Sequence, residues 1–229
     1  MKDLYLAILI ALFSLYSLNA EETGAHLFIL SGQSNMAALK PEVSFTPTVE
    51  TKFGKDKVIV VKDAKSGAPI RRWFKKWSSL DGKQSDANGD LYENLMKKVK
   101  GAIKGKKIQT ITFVWMQGER DAKEKYSEVY AASLKGLLGQ LQEDLSRQDI
   151  NFVLGRLSDF DMKDKRYQHW TKVRKIQVEF AEGSARRAWV DTDELNGKRN
   201  GLHYDKAGYK ELGKRFAEKA ITLIETANK

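Results

Sequence analysis

Cysteine is absent from this chain of 229 residues. That absence excludes disulfides, thiol nucleophiles and cysteine-ligated metals, so stability has to come from a full hydrophobic core. Histidine is scarce: only His26, His169 and His203 are available as general bases. Long apolar runs are also lacking after the first residues. Internal repeats, low-complexity tracts, linkers and any recognisable nucleic-acid module are missing.

The one long apolar run is N-terminal. Lys2 precedes an apolar stretch from Leu4 to Leu15, and Leu18-Asn19-Ala20 precedes the acidic pair Glu21-Glu22. This is a signal-peptide pattern with cleavage after Ala20, and the run is too short to span a bilayer comfortably. The expectation is export, to the periplasm or outside the cell, with no membrane attachment after cleavage. Residues 21–229, about 209 of them, then suffice for one domain with a sizeable core. The formal charge of +10 suits a soluble basic surface or a surface that meets acidic polysaccharide.

What is present is a regular alternation. Apolar runs at Leu27–Leu30, Val58–Val61, Ile111–Met116, Phe152–Leu154 and Ala188–Val190 read as strands. Their continuous apolar character predicts parallel strands covered on both faces. Between them, helical periodicity joins Leu91, Leu95, Val99 and Ile103. It also joins Tyr130, Leu134, Leu137, Leu138, Leu141 and Leu145, then Trp170, Val173, Ile176 and Phe180. A last stripe runs through Tyr209, Leu212, Phe216, Ala220, Leu223 and Ile224, with Asp205 placed to cap it. The expected architecture is a three-layer α/β/α sandwich around a flavodoxin-like parallel sheet of about five strands. Segments 41–57 and 73–88 read as loops.

In an open sheet of this kind ligands bind at the carboxyl ends of the strands. Ser34 follows the first strand, within Gly32-Gln33-Ser34-Asn35-Met36. A serine on a sharp strand-to-helix turn has the exposed hydroxyl a nucleophile needs. Gly67 follows the second strand, Gln117-Gly118-Glu119 the third, and Asn200 to His203 the fifth. All fall on one edge. His26 lies at the opposite edge and His169 beside Trp170 in a helix, so His203 is the base by position. The backbone N–H groups of Ser34 and Gly67 and the side-chain amide of Gln117 are suitable donors to an oxyanion. Glu119, Asp191, Asp193, Glu194 and Asp205 are the acids that could orient the histidine.

These residues carry a resemblance. Gly32-Gln33-Ser34-Asn35-Met36 resembles the first block of the SGNH hydrolase superfamily, in the branch of acetylxylan esterases and sialate O-acetylesterase-like proteins. Lys65-Ser66-Gly67-Ala68-Pro69-Ile70-Arg71-Arg72-Trp73 resembles the second block. Trp115-Met116-Gln117-Gly118-Glu119-Arg120-Asp121-Ala122 resembles a Trp-His-Gln-Gly-Glu-x-Asp-Ala block, with Met116 in place of histidine. Val190 to Leu195 followed by Gly201 to Tyr209 resembles the closing block. The blocks come in the family's order and span nearly the whole chain after residue 20.

The resemblance implies a serine esterase that removes O-acetyl groups from carbohydrate without metal or cofactor. Ser34 would be the nucleophile, His203 the base, and Ser34, Gly67 and Gln117 the oxyanion hole. The departure is Asn200, which stands where the family's Asp-x-x-His block places its acid. Three readings stay open: Glu119 supplies the acid, a Ser–His–Asn arrangement works without one, or the chain is a catalytically impaired polysaccharide binder. A lipase- or thioesterase-like activity is a further alternative. For substrate, Asn35 and the interleaved Arg71, Arg72 and Trp73 suggest contacts to a sugar, with arginines matching carboxylate or sulfate; Trp73 and Trp77 could equally face the core.

Overall fold

The strand that leads to Ser34 runs through the middle of the molecule. The computed structural model describes residues 24–198 and 201–227, so the segment read as a signal peptide and Asn200 lie outside the described residues. The five strands are β1 (Ala25–Gly32), β2 (Val58–Ala64), β3 (Ile108–Met116), β4 (Asn151–Gly155) and β5 (Arg187–Val190). All pair in parallel, in the order β2-β1-β3-β4-β5. The helices are α1 (Ser34–Ala38), α2 (Phe45–Phe53), α3 (Asp90–Ile103), α4 (Glu119–Glu124), α5 (Ser127–Leu145), α6 (Trp170–Glu182) and α7 (Lys206–Ala227).

Strand side chains alternate between the two faces, and each face has its own core. On one side Leu27, Ile29, Phe113, Trp115, Phe152 and Leu154 pack with residues of α3, α5 and α6. On the other Phe28, Leu30, Val114, Met116 and Val153 pack with residues of α2 and α7. Covering both faces explains why the strands read as continuous apolar runs. Met116, where the resembling block has histidine, is fully buried on the α7 side. A Cβ on Gly155 would overlap its sulfur.

Segment 41–57, expected to be a loop, contains α2. Phe45, Val49 and Phe53 recur every four residues and turn towards the α7-side core. Pro47 falls in the first turn, where its missing N–H breaks no helical bond. Thr48 and Thr51 donate their hydroxyls to the carbonyls four residues back. Segment 73–88 is irregular, as expected. His169 stands just before α6 rather than inside it, hydrogen-bonded to Ser127 Oγ through Nδ1 at 2.8 Å. Gly208 N donates to Asp205 Oδ1 at 2.8 Å, the N-terminal cap anticipated for α7. Among the described residues no helix is long and apolar enough to cross a membrane.

Candidate active site

The chain leaves β1 for β2 on one side and returns for β3 on the other. The β1/β3 boundary is therefore the topological switch point, the place at the carboxyl edge where open sheets of this kind bind ligands. Both turns that line it depend on glycine. Gly32 has φ +142°, and a Cβ there would overlap the Met116 carbonyl. Without one, Gln33 N reaches Met116 O at 2.8 Å. β1 is thus clamped to β3 one residue before Ser34, which opens α1 half-buried. Gly118 has φ +140°, and a Cβ there would come within 2.9 Å of Gln177 Nε2. That turn delivers Glu119 to the start of α4.

Beneath the edge lies a buried polar network. Gln117 Nε2 donates to Gln33 Oε1 at 3.2 Å, to Ala68 O at 3.2 Å and to Asp121 Oδ2 at 2.5 Å. Its Oε1 accepts from Tyr130 Oη at 3.1 Å, and Gln177 Nε2 donates to the Gln117 carbonyl at 2.8 Å. Asp121 Oδ2 also accepts from Ile70 N at 2.9 Å, and Gln33 Oε1 from Arg120 N at 3.1 Å. The Gln117 amide therefore ties the residue before Ser34 to the residue after Gly67. Gln117, expected to donate to an oxyanion, spends its amide inside this network. It has no exposed surface, and the two hydrogens on Nε2 already face three acceptors.

The Ser34 and Gly67 amides remain available. Neither donates to another described residue. Gly67 is exposed at φ +69°, with open space where a Cβ would stand. A ligand can approach its backbone closely.

His203 is exposed in the turn before α7 and forms no hydrogen bond to Ser34, Glu119 or any other described residue. Its loop is nevertheless tied to the nucleophile. Asn35 Nδ2 donates to Glu119 Oε1 at 2.9 Å and to the Leu202 carbonyl at 3.1 Å. Asn35 Oδ1 accepts from Tyr209 Oη at 3.1 Å. The residue after the serine thus holds the residue before the histidine.

Glu119, expected as the acid, and Asn35, expected to contact sugar, both lie below the surface. Glu119 does not touch the imidazole; the residue is 1% exposed, and its Oε2 has no partner among the described residues. Burial pushes its pKa up to about 7, against the opposing hydrogen bonds from its own N–H and from Asn35. Asp121 is likewise pushed up to about 6, chiefly by burial. Asn35, expected to meet sugar, is 2% exposed and spends its amide inside the protein.

The other candidate acids point elsewhere. Asp193 binds Arg174 through both oxygens, at 2.6 and 3.0 Å, and Arg156 at 2.7 Å. Asp191 pairs with Arg156 at 2.5 Å, and Asp205 caps α7.

The basic, aromatic segment after Gly67 is built into the protein as well. Trp73 is 1% exposed and packs edge-on against Trp115 with ring centroids 5.1 Å apart. Arg72 pairs with Asp90. Arg71 pairs with Glu124 at 2.6 Å and lies over the Trp77 and Tyr126 rings. Of the three residues expected to contact sugar, Trp73 is packed in the core, while Arg71 and Arg72 are ion-paired and partly exposed. Other cations stand nearby instead. A cleft of about 820 Å³ beside the β2 end is lined by Asp63, Lys65, Arg72, Asp90, Lys97 and Lys98. Lys98 pairs with Asp63 and Arg72 with Asp90. Lys65 and Lys97 are exposed and form no ion pair among the described residues.

A family profile described as carbohydrate esterase, sialic acid-specific acetylesterase matches residues 37–222. The chain belongs to this carbohydrate esterase family. The matched span holds Gly67, Gln117, Glu119 and His203 and begins just after Ser34. Solved structures share the fold. One, of a protein from Arabidopsis thaliana, has 20% identity and a TM-score of 0.68, covering 87% of this chain and 98% of that one. A carbohydrate acetylesterase from Xanthomonas citri has 13% identity and a TM-score of 0.61, covering 86% of this chain but 56% of that one. A carbohydrate acetylesterase family member from Sinorhizobium meliloti has 11% identity and a TM-score of 0.55, covering 88% and 99%. Among curated proteins none matches by sequence. The α/β/α sandwich, the SGNH-like membership and the esterase class inferred from the sequence agree with these findings.

Proposed function

We propose that this esterase removes O-acetyl groups from carbohydrate through an acyl-enzyme on Ser34. The observation that carries the reading is the placement of Ser34 at the β1/β3 switch point with the His203 loop fastened beside it. Ser34 Oγ attacks the acetyl carbonyl while His203 takes its proton. The Ser34 and Gly67 amides receive the charge on the carbonyl oxygen. The tetrahedral intermediate then expels the sugar oxygen, which takes the proton from His203. In the second half His203 removes a proton from water as the water attacks the acyl carbon. Ser34 leaves with that proton, and acetate is released. His203 is exposed, so water can solvate the imidazolium where no carboxylate among the described residues touches it.

The small acyl group is supported by a lack of exposed apolar surface. The exposed large hydrophobic side chains among the described residues, Val43, Leu80 and Met162, stand on separate segments. An acidic sugar is supported by Lys65 and Lys97, which form no ion pair among the described residues, in the cleft beside the β2 end. Export is supported by residues 1–20; on that reading the N-terminus of the exported protein is Glu21, which intact mass can check.

The deciding experiment measures acetate released from acetylated xylan, O-acetylated sialic acid and an aryl acetate. Wild type releases acetate and Ser34→Ala does not. Inactivity of the wild type on all of them would reject the reading. A second reading, a polysaccharide-binding protein without turnover, is favoured by asparagine at 200 and the missing Ser34–His203 hydrogen bond. Glycan binding that persists in Ser34→Ala, with no hydrolysis by wild type, would support it.

A further inference from the structure

Glu119 and Asn35 are nearly buried polar side chains that the proposed chemistry does not use directly. Asn35 is placed as a tie. It sits in the same short helix as the nucleophile, α1, and its amide hydrogens go to Glu119 Oε1 at 2.9 Å and to the Leu202 carbonyl at 3.1 Å. Its carbonyl oxygen accepts from Tyr209 Oη at 3.1 Å, so both ends of the amide are held. Leu202 precedes His203, and Tyr209 lies in the first turns of α7, so both Asn35 contacts bracket the histidine along the chain. Among the described residues, no other group hydrogen-bonds the Leu202 carbonyl, and none hydrogen-bonds the His203 side chain.

We infer that Asn35, anchored by Glu119, is a positioning residue that sets the His203 loop against Ser34. The inference rests on the esterase reading above and assigns Glu119 a part other than the acid that touches the histidine. Its carboxyl acts as a hydrogen-bond acceptor for Asn35. A neutral acceptor can fill that part, whereas an acid paired with the imidazole would have to be charged. The elevated pKa of Glu119 is consistent with a group whose charge is not required.

This distinction makes the inference testable by conservative replacement. The amide oxygen introduced by Glu119→Gln can still accept from Asn35, while Glu119→Ala leaves Asn35 Nδ2 with one partner fewer. Asn35→Ala cuts the tie itself. Steady-state kinetics on an aryl acetate are measured for wild type, Ser34→Ala, Asn35→Ala, Glu119→Ala, Glu119→Gln, Tyr209→Phe and the Asn35→Ala/Glu119→Ala pair. Thermal unfolding is followed for each.

Misplacing a base by about 1 Å costs on the order of a hundredfold. Asn35→Ala should therefore lose about a hundredfold in kcat with KM within about threefold of wild type. Glu119→Ala should fall nearly as far, and Glu119→Gln should recover most of that loss. The pair should be no worse than the poorer single variant, because both act through one tie. Tyr209→Phe, which removes a single hydroxyl, should lose a few-fold in kcat even if Asn35→Ala proves too unstable to measure.

Three outcomes would overturn the inference while wild-type activity, and thus the esterase reading, stands. One is Glu119→Gln as inactive as Glu119→Ala, which would make the charge essential. Another is full kcat in Asn35→Ala. The third is Tyr209→Phe and Glu119→Gln both indistinguishable from wild type while Asn35→Ala does not fold. An inactive wild type would instead defeat the esterase reading itself.

Discussion

The two halves of the proposed catalytic pair are held in different ways. The serine side is braced from below. Gly32 lets β1 close onto β3, Gln33 is bonded to Met116 and Gln117, and Gln117 reaches on to Ala68 and Asp121. Every one of these groups is buried. The histidine side is an exposed turn, tied to the site by the bond from Asn35 to the Leu202 carbonyl. A fold can hold a nucleophile rigidly with sheet edges and buried amides. The base sits on a loop, where small shifts are cheap. Activity should therefore be sensitive to both halves, and stability to the serine side alone.

The largest expected effect tests the shared chemistry. Ser34→Ala and His203→Ala should each lower kcat by about ten-thousandfold or more. Neither should shift the unfolding midpoint by more than about 2 °C, because both side chains lack partners among the described residues. A large drop in midpoint for His203→Ala would show that its loop is part of the braced region after all.

Next comes the clamp. Gly32→Ala places a methyl group against the Met116 carbonyl at φ +142°. The expected loss is about 3 kcal/mol in urea unfolding, with activity falling alongside. Gly67→Ala, at an open site, should cost about 1 kcal/mol through φ alone. Equal losses at the two glycines would remove the contrast.

A smaller effect concerns pH. The Glu119 carboxyl binds its proton more tightly in the folded protein, with a pKa near 7 against an ordinary 4.5. Between those values the folded state holds more protons than the unfolded state, so this group's contribution to stability falls as pH rises. Glu119→Gln removes that loss. The stability of the variant relative to wild type should improve by on the order of 2 kcal/mol between about pH 4.5 and about pH 7.5. A constant difference across the range would mean that Glu119 is charged throughout.

The smallest effect belongs to the surface. Arg72→Ala breaks a partly exposed pair with Asp90 and should cost no more than about 1 kcal/mol. Activity on an uncharged aryl acetate should hardly change, since Arg72 is paired with Asp90.

The sheet was legible because its central strands are covered on both faces. Phe28 and Leu30 face one core, Leu27 and Ile29 the other, and an unbroken apolar run is the result. The helix Phe45–Phe53 was not legible, because proline and threonines weaken its propensity while its stability comes from Phe45 and Val49 in the α7-side core. Ser34, Gly67 and His203 were nominated from their place after strands, and their roles belong to the proposed function. Gln33, Asp121, Tyr130 and Gln177 were missed. A polar side chain inside an otherwise apolar environment is the signal that could have revealed them, yet their partners lie up to 87 residues away in the chain. The surroundings of Trp73 and Arg72 were hidden for the same reason. Composition shows an aromatic beside a cation, but only tertiary structure shows that one packs on Trp115 and the other pairs with Asp90.

On the proposed function Ser34 is a nucleophile activated by His203. Reaction with a serine-directed fluorophosphonate, followed by peptide mass analysis, tests it most directly. The expected result is one time-dependent adduct on Ser34 that forms at least about a hundredfold more slowly in His203→Ala. No adduct on Ser34, or one whose rate ignores His203, would contradict the account.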